Sequence, residues 1–320
     1  MKEIKTVEDI ITFMRSKSYV IDMGSKKISK WLKVSEDDVR SAKKVLRKEG
    51  FRAGTLEHKK DPHTMPKILI LDIETSPLRA YVWSLWKQNI YIDQIISNFF
   101  IISWSAKWLL EEAVFSQCVT PEEIKKEDDQ RIVETLWHLL NTADIVIAHN
   151  GSQFDIPKIK SRFLIYGLPP TTFYQQIDTL KVAKSEFGFS SNKLDALARI
   201  LGIEGKIKTD FNLWSDCMNG NEVALGYMEE YNRQDVKLLE EVYLCMRPHI
   251  RSHPNYNLYI DSETPVCPHC GHTELEFVGY YYFTQTGKYR NYRCVSCGAL
   301  SRERKTIFQN SKSILISNGK

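Results

Sequence analysis

The chain has 320 residues, 42% hydrophobic and 26% charged, which suits about two cored domains and excludes a disordered chain. No apolar run approaches the roughly 20 residues of a membrane helix, and seven cysteines are too few and too unevenly spread for a secreted disulfide scaffold. The net charge of +4 hides an asymmetry: residues 1–60 hold 16 Lys/Arg against 9 Asp/Glu, residues 262–320 hold 8 against 4, and the centre is net acidic. Basic ends around an acidic centre fit nucleic-acid-binding appendages on a cation-holding domain, or plain solubility charge. The N-terminus carries no apolar signal region, so a cytoplasmic, reducing setting without membrane contact is expected.

Val7, Ile10, Ile11 and Met14 have helical spacing. A second pattern runs Ile28, Trp31, Leu32, breaks at Lys33-Val-Ser-Glu, and resumes as Val39, Ala42, Leu46, with Gly50 as its stop. Ser35 and Asp38 form a variant helix-start box. Helix, short turn, helix is the helix-turn-helix plan, expected over 1–54. Arg40, Lys43, Lys44, Arg47 and Lys48 on its second helix are candidates for phosphates or base edges; a helical protein-docking module has the same periodicity. Residues 55–66, polar with two prolines, read as a linker.

From Lys67 a continuous apolar run predicts a buried strand ending in Asp72-Ile-Glu74-Thr75. Strands follow at Phe99–Ala106 and Ala113–Cys118, a helix over Asp129–Leu140, and a buried strand from Asp144 to Asn150. Then come a helix over Ile156–Gly167, a short strand at Gln176–Leu180, and helices over Asn192–Leu201 and Glu222–Met246. This order describes a mixed α/β layer fold. Between Leu78 and Ile95, the aromatics Tyr81, Trp83, Trp86 and Tyr91 either pack a hairpin, the slightly favoured reading, or stack on single-stranded bases.

Asp72 and Glu74 alternate onto one face of a strand tip. Two carboxylates there are costly unless paired or metal-bound, and a hard divalent cation suits them. In His149-Asn150-Gly-Ser-Gln-Phe154-Asp155 the last acid opens a helix, where the dipole favours a carboxylate. Tyr231 and Asp235, four apart, share a helix face. Each signal alone has an ordinary structural explanation: strand-end acids, a capping Asp, a solvated polar pair. Asp178 is a further strand-end acid, read as supporting or structural.

Together, D-x-E, N-x(3)-F-D and Y-x(3)-D in this order resemble the three motifs of DnaQ-like 3′–5′ exonucleases of the ribonuclease H-like superfamily. Over about 66–250 the chain is similar above all to the proofreading domains of family B DNA polymerases. Tyr231, with Glu230 where the histidine subgroup would carry His, resembles the tyrosine subgroup. The resemblance implies a ribonuclease H-like mixed sheet flanked by helices over 67–250. It implies two Mg²⁺ or Mn²⁺ held by Asp72, Glu74, Asp155 and Asp235, with Tyr231 placing the attacking water. It implies Asn150, Phe154 and Thr75 as grips on the terminal nucleotide of DNA or RNA with a single-stranded 3′ end. A structure-selective endonuclease on the same core, or a non-enzymatic nucleic-acid-binding regulator, are the competing readings.

Cys267-x2-Cys270 and Cys294-x2-Cys297, each pair followed by glycine, resemble a zinc ribbon over 262–306, with a tail over 307–320. Four thiolates close a tetrahedral site, so one zinc there is structural; His269 and His272 are superfluous as ligands. Cys118, Cys217 and Cys245 read as buried free thiols. Arg290, Arg293, Arg302, Arg304 and Lys305 among Tyr280–Tyr282, Tyr289 and Tyr292 fit a nucleic-acid surface or a protein-docking one.

Overall fold

In the computed structural model the described residues are 6–16, 25–49, 65–203 and 209–308. The chain divides into two compact units, residues 1–61 and 62–320. The expected Gly50 stop, most of the linker over 55–66 and the tail from residue 309 lie outside the described residues.

Among the described residues, the first unit holds three helices, α1 (Val7–Ser16), α2 (Ser25–Leu32) and α3 (Glu36–Lys48). Ile10, Met14, Ile28, Val39, Ala42 and Leu46 meet in its core, the residues that set the sequence periodicity. The box before α3 is reciprocal: Asp38 N–H donates to Ser35 Oγ at 3.0 Å, and Ser35 Oγ–H to the Asp38 carboxylate at 2.7 Å. Of the basic residues expected to face phosphate, Lys43 is buried and Arg40 pairs with Glu36 at 2.7 Å and Asp37 at 3.1 Å. Lys44 and Lys48 are exposed, and the Arg47 side chain lies outside the described ones.

The second unit is built on β1 (Ile68–Thr75), β4 (Ile101–Trp108), β5 (Val114–Cys118), β6 (Ile145–Ala148) and β7 (Gln175–Asp178), with β2 (Arg79–Ala80) and β3 (Ile95–Ser97) forming a separate two-stranded ribbon. The five-stranded order is β5-β4-β1-β6-β7. β1 is antiparallel to β4 and parallel to β6, so it is the seam of the mixed sheet. Its two-sided burial explains the unbroken Ile-Leu-Ile-Leu run.

α4 (Pro121–Lys126) and α5 (Gln130–Leu140) connect β5 to β6, α6 (Asp155–Ile165) connects β6 to β7, and α7 (Thr179–Glu186), α8 (Leu194–Ile200), α9 (Phe211–Met218) and α10 (Glu222–Met246) follow β7. Ile68 and Ile70 of β1 share a core with Ile145 and Ile147, Val182 of α7, Leu197 of α8, and Val236, Leu239 and Tyr243 of α10. Trp104 Nε1 donates to the Ile132 carbonyl at 2.8 Å, locking α5 to β4. Buried Asp129, just before α5, accepts from Ile101 N–H at 2.7 Å and Arg162 Nε at 2.9 Å, tying β4 to α6.

Two expectations change. The short strand at Gln176–Leu180 stops at Asp178, because that side chain accepts from Leu180 and Lys181 N–H and starts α7. Of the three thiols expected to be buried, Cys217 is, Cys118 is half-buried, and Cys245 is exposed because it falls on the outer stripe of α10.

At the C-terminal end, β8 (Leu275–Phe283), β9 (Lys288–Cys294) and β10 (Leu300–Arg302) form an antiparallel sheet in the order β10-β9-β8. It docks on the five-stranded domain through an aromatic seam. His253 and His269 rings stack at 4.8 Å, Tyr256 N–H donates to the Pro268 carbonyl at 3.0 Å, and Tyr243 OH bonds His253 Nε2 at 2.8 Å. His269, superfluous to a four-cysteine site, bonds the Arg247 carbonyl through Nδ1 at 3.0 Å and serves the docking instead.

Candidate metal centre and its surroundings

Ile68, Ile70, Asp72 and Glu74 occupy one face of β1, the face covered by α10. The row changes from apolar to acidic as the strand leaves the core. On α10, Asn232 and Asp235 turn toward that tip. Asn232 Nδ2 donates to Asp72 Oδ2 at 2.6 Å, and its carbonyl oxygen accepts from Ser103 Oγ at 3.2 Å. Ligand oxygens of Asp72, Glu74 and Asp235 lie within 4.8 Å of one another.

Asp155 lines the same cleft but stands outside that tight triad. It is buried at the start of α6 and accepts from Ile73 N–H at 3.1 Å. Its position depends on the turn after β6. Asn150 takes the left-handed conformation (φ 64°), which Asn tolerates better than most residues. A Cβ on Gly151 would stand 2.3 Å from Ala148 Cβ, so only glycine fits there. Asp178 clamps the turn, accepting from Asn150 N–H at 2.9 Å and Ser152 N–H at 3.2 Å. Asp178 thus ties the turn after β6 to the start of α7.

The electrostatics are consistent with a cation site. Burial, then Asp155, Glu74 and Asp235, push the Asp72 carboxyl well above its ordinary range, and the Asn232 hydrogen bond pulls the other way. Burial raises Asp155 to about 7, against hydrogen bonds from backbone N–H groups. Hard oxygen donors at this spacing fit a divalent ion of the Mg²⁺ type. Tyr231 lines the cleft and is pushed above the usual phenol range, first by burial, then by Asp235 and Glu74; it hydrogen-bonds Asp235. Its hydroxyl therefore stays protonated at neutral pH.

Beside the acids lies a second cleft containing Thr75, Leu78, Phe99, Lys158, Phe211 and Trp214. Lys158 Nζ donates to Thr75 Oγ1 at 3.3 Å and sits 3.9 Å from the Phe99 ring centre and 4.8 Å from that of Phe154. Phe154 is partly exposed. Sequence reasoning missed Asn232 and Lys158. Asn232 lies inside the Tyr231–Asp235 motif, and its spacing three before Asp235 was the available signal. Lys158 follows Asp155 by one helical turn.

The four cysteines converge, with Cys267 Sγ 3.6 Å from Cys297 Sγ and Cys270 Sγ 3.7 Å from Cys294 Sγ. Tetrahedral Zn–S bonds of about 2.3 Å place sulfurs about 3.8 Å apart, so the set fits zinc. Gly271 and Gly298, both at φ 76°, close two matching knuckles, with their N–H groups donating to Cys267 and Cys294 carbonyls at 2.9 Å.

Hairpin packing does not account for Tyr81, Trp83, Trp86 and Tyr91: all four are exposed, because the β2–β3 ribbon pairs with itself and stands outside the five-stranded sheet.

The chain belongs to the RNase H superfamily, whose family model matches residues 69–246, more than half of its length. Among solved structures, it is similar to the family B DNA polymerase from the hyperthermophilic archaeon Pyrobaculum calidifontis, at 12% identity and a TM-score of 0.42. The match covers 58% of this chain and 26% of that polymerase. Comparison with curated proteins finds no match. Among the described residues, no helix is long and apolar enough to cross a membrane.

Proposed function

We propose that the chain is a metal-dependent nuclease that removes nucleotides from a 3′ end. The observation that carries the reading is the convergence of Asp72, Glu74 and Asp235, with Asp155 in the same cleft. Hydrolysis of a phosphodiester needs a nucleophilic water at an anionic phosphorus and stabilisation of the leaving oxygen. Two divalent cations, when bound, supply both.

In this reading Asp72, Glu74, Asp155 and Asp235 are the ligands. Asn232 orients Asp72 through its 2.6 Å hydrogen bond. Tyr231, held protonated, donates to or orients the water rather than removing its proton. Asn150, Phe154 and Thr75 grip the terminal nucleotide, and Lys158 offers positive charge to its phosphate. The four-cysteine sheet carries one structural zinc. The helical unit and the basic, aromatic face of that sheet hold the rest of the substrate, DNA or RNA; a protein partner is the competing use of both.

The test compares a 5′-labelled single strand with a circular single strand in Mg²⁺. A 3′–5′ exonuclease shortens the linear strand stepwise and spares the circle. Cleavage of the circle would identify an endonuclease on the same core. Binding without cleavage of either would favour a regulator.

A further inference from the structure

We propose that the ribbon over residues 78–96 is a stacking arm for an unpaired nucleic-acid strand whose 3′ end lies at the acidic cluster. The inference rests on the proposed nuclease reading for the position of that end. Trp83 is 94% exposed, Trp86 82%, Tyr81 74% and Tyr91 70%. Exposing four large aromatic side chains within eleven residues of one ribbon costs solubility, so such a concentration marks a surface that is covered in use.

The root of the arm is built, not loose. Arg79 pairs with Ser97 and Ala80 with Ile95. Tyr81 N–H donates to the Gln94 carbonyl at 2.9 Å, Gln94 Nε2 to the Tyr81 carbonyl at 3.0 Å, and Tyr91 N–H to Gln94 Oε1 at 2.8 Å. Arg79 is anchored to Ser97 Oγ at 2.8 Å and to the Glu127 carboxylate. The root thus fixes Tyr81 and Tyr91 before any ligand binds, and Trp83 and Trp86 lie on the loop between them.

Three features select a nucleic-acid strand as the occupant. The root of the arm lies beside the acids: Leu78 lines the second cleft with Thr75, Phe99 and Lys158, and Thr75 follows Glu74 directly in β1. Tyr81 follows Thr75 by six positions, at most about 20 Å of extended chain, so a strand leaving the acids passes its first aromatic within a few nucleotides. The exposed groups are ring systems, and every base offers a π-face to them whatever its identity. Finally, beyond the Arg79–Glu127 pair the arm carries Lys87 against one acid, Asp93, a neutral balance that does not repel a polyanion.

The test uses the full chain and the double variant Trp83→Ser/Trp86→Ser, whose side chains are too exposed to support the core. Dissociation constants are measured for a labelled single-stranded oligothymidylate of about 30 residues and for a blunt duplex, with Ca²⁺ replacing Mg²⁺. Removing each stack weakens binding by at least about fivefold, so the variant should bind the single strand at least about 25-fold more weakly. It should bind the duplex, whose bases are already stacked, as the native chain does. Hydrolysis of thymidine 5′-(p-nitrophenyl phosphate) in Mg²⁺, a substrate too short to reach the arm, should be equal in both.

Equal single-strand affinities would overturn the proposal. So would a native chain that self-associates through the arm, seen as a change in sedimentation with the variant while its affinity stays the same. Absence of ester hydrolysis in both proteins, with the 25-fold affinity difference present, would refute the nuclease reading and still support the arm.

Discussion

Asp72 is surrounded by like charge, and Asn232 is a neutral donor that holds it at 2.6 Å. Removing that donor frees the carboxylate to rotate and leaves Ser103 without its acceptor. Asn232→Ala should therefore raise the Mg²⁺ concentration for half-maximal cleavage about 10- to 100-fold, the usual effect of losing a group that orients a ligand. A metal titration of the rate checks this; an unchanged midpoint would remove Asn232 from the site. At this scale the grouping of Asp72, Glu74 and Asp235 was legible in the sequence from the order of the three motifs, although each motif alone has an ordinary explanation. Asn232 and Lys158 were not, because an amide inside a helix and a lysine on one look like surface until tertiary packing turns them toward the cleft.

The elements around the site impose their own limits. The turn from β6 to α6 brings the residue 151 backbone against Ala148, leaving no room for a methyl group. Gly151→Ala should displace Asn150 and Asp155, destabilise the fold by about 1–3 kcal/mol and sharply reduce cleavage. Adding Ala148→Gly removes the opposing methyl, and the double variant should recover most of the activity at a cost of about 0.5–1 kcal/mol for a strand glycine. Failure of that rescue would show that the close approach is not what fixes the turn.

The docking seam makes a second prediction. Burial lowers His253 to about 4, with a smaller push from His269 and Arg247. Its folded pKa lies below the unfolded value of about 6.5, so the unfolded chain binds more protons between the two. Stability from this group is full above about 6.5 and is lost progressively as pH falls toward about 4. Denaturant unfolding of the native chain and His253→Gln across that window should show a shallower loss in the variant. Parallel curves would mean that His253 does not titrate with unfolding. Periodicity made the long helices and the buried strands legible; α4, α7 and α9 were missed because one or two turns give too short a pattern. The packing role of His269 was invisible because nothing local marks a docking histidine.

For the whole molecule, the charge asymmetry gives a salt-dependent prediction. The acidic centre should hold a long polyanion poorly without help from the basic ends. Exposed Lys44 and Lys48 remain available for this, whereas buried Lys43 and ion-paired Arg40 are already committed. Deleting residues 1–61, one of the two compact units, should flatten the log–log dependence of single-strand affinity on salt by about 0.7 for each phosphate no longer neutralised. Cleavage of a very short oligonucleotide should stay nearly the same. Equal slopes would make the helical unit a protein-docking module.

The central claim, that Asp72, Glu74 and Asp235 form a catalytic metal centre, is tested most directly by Asp72→Asn, assayed for Mg²⁺-dependent cleavage and for thermal stability in chelator. The raised carboxyl pKa means that ionised Asp72 opposes folding when no cation is present. The neutral isostere should therefore melt higher than the native chain, by about 2–4 °C for each kcal/mol of repulsion relieved, while losing cleavage. An Asp72→Asn protein that cleaves like the native chain would contradict the account.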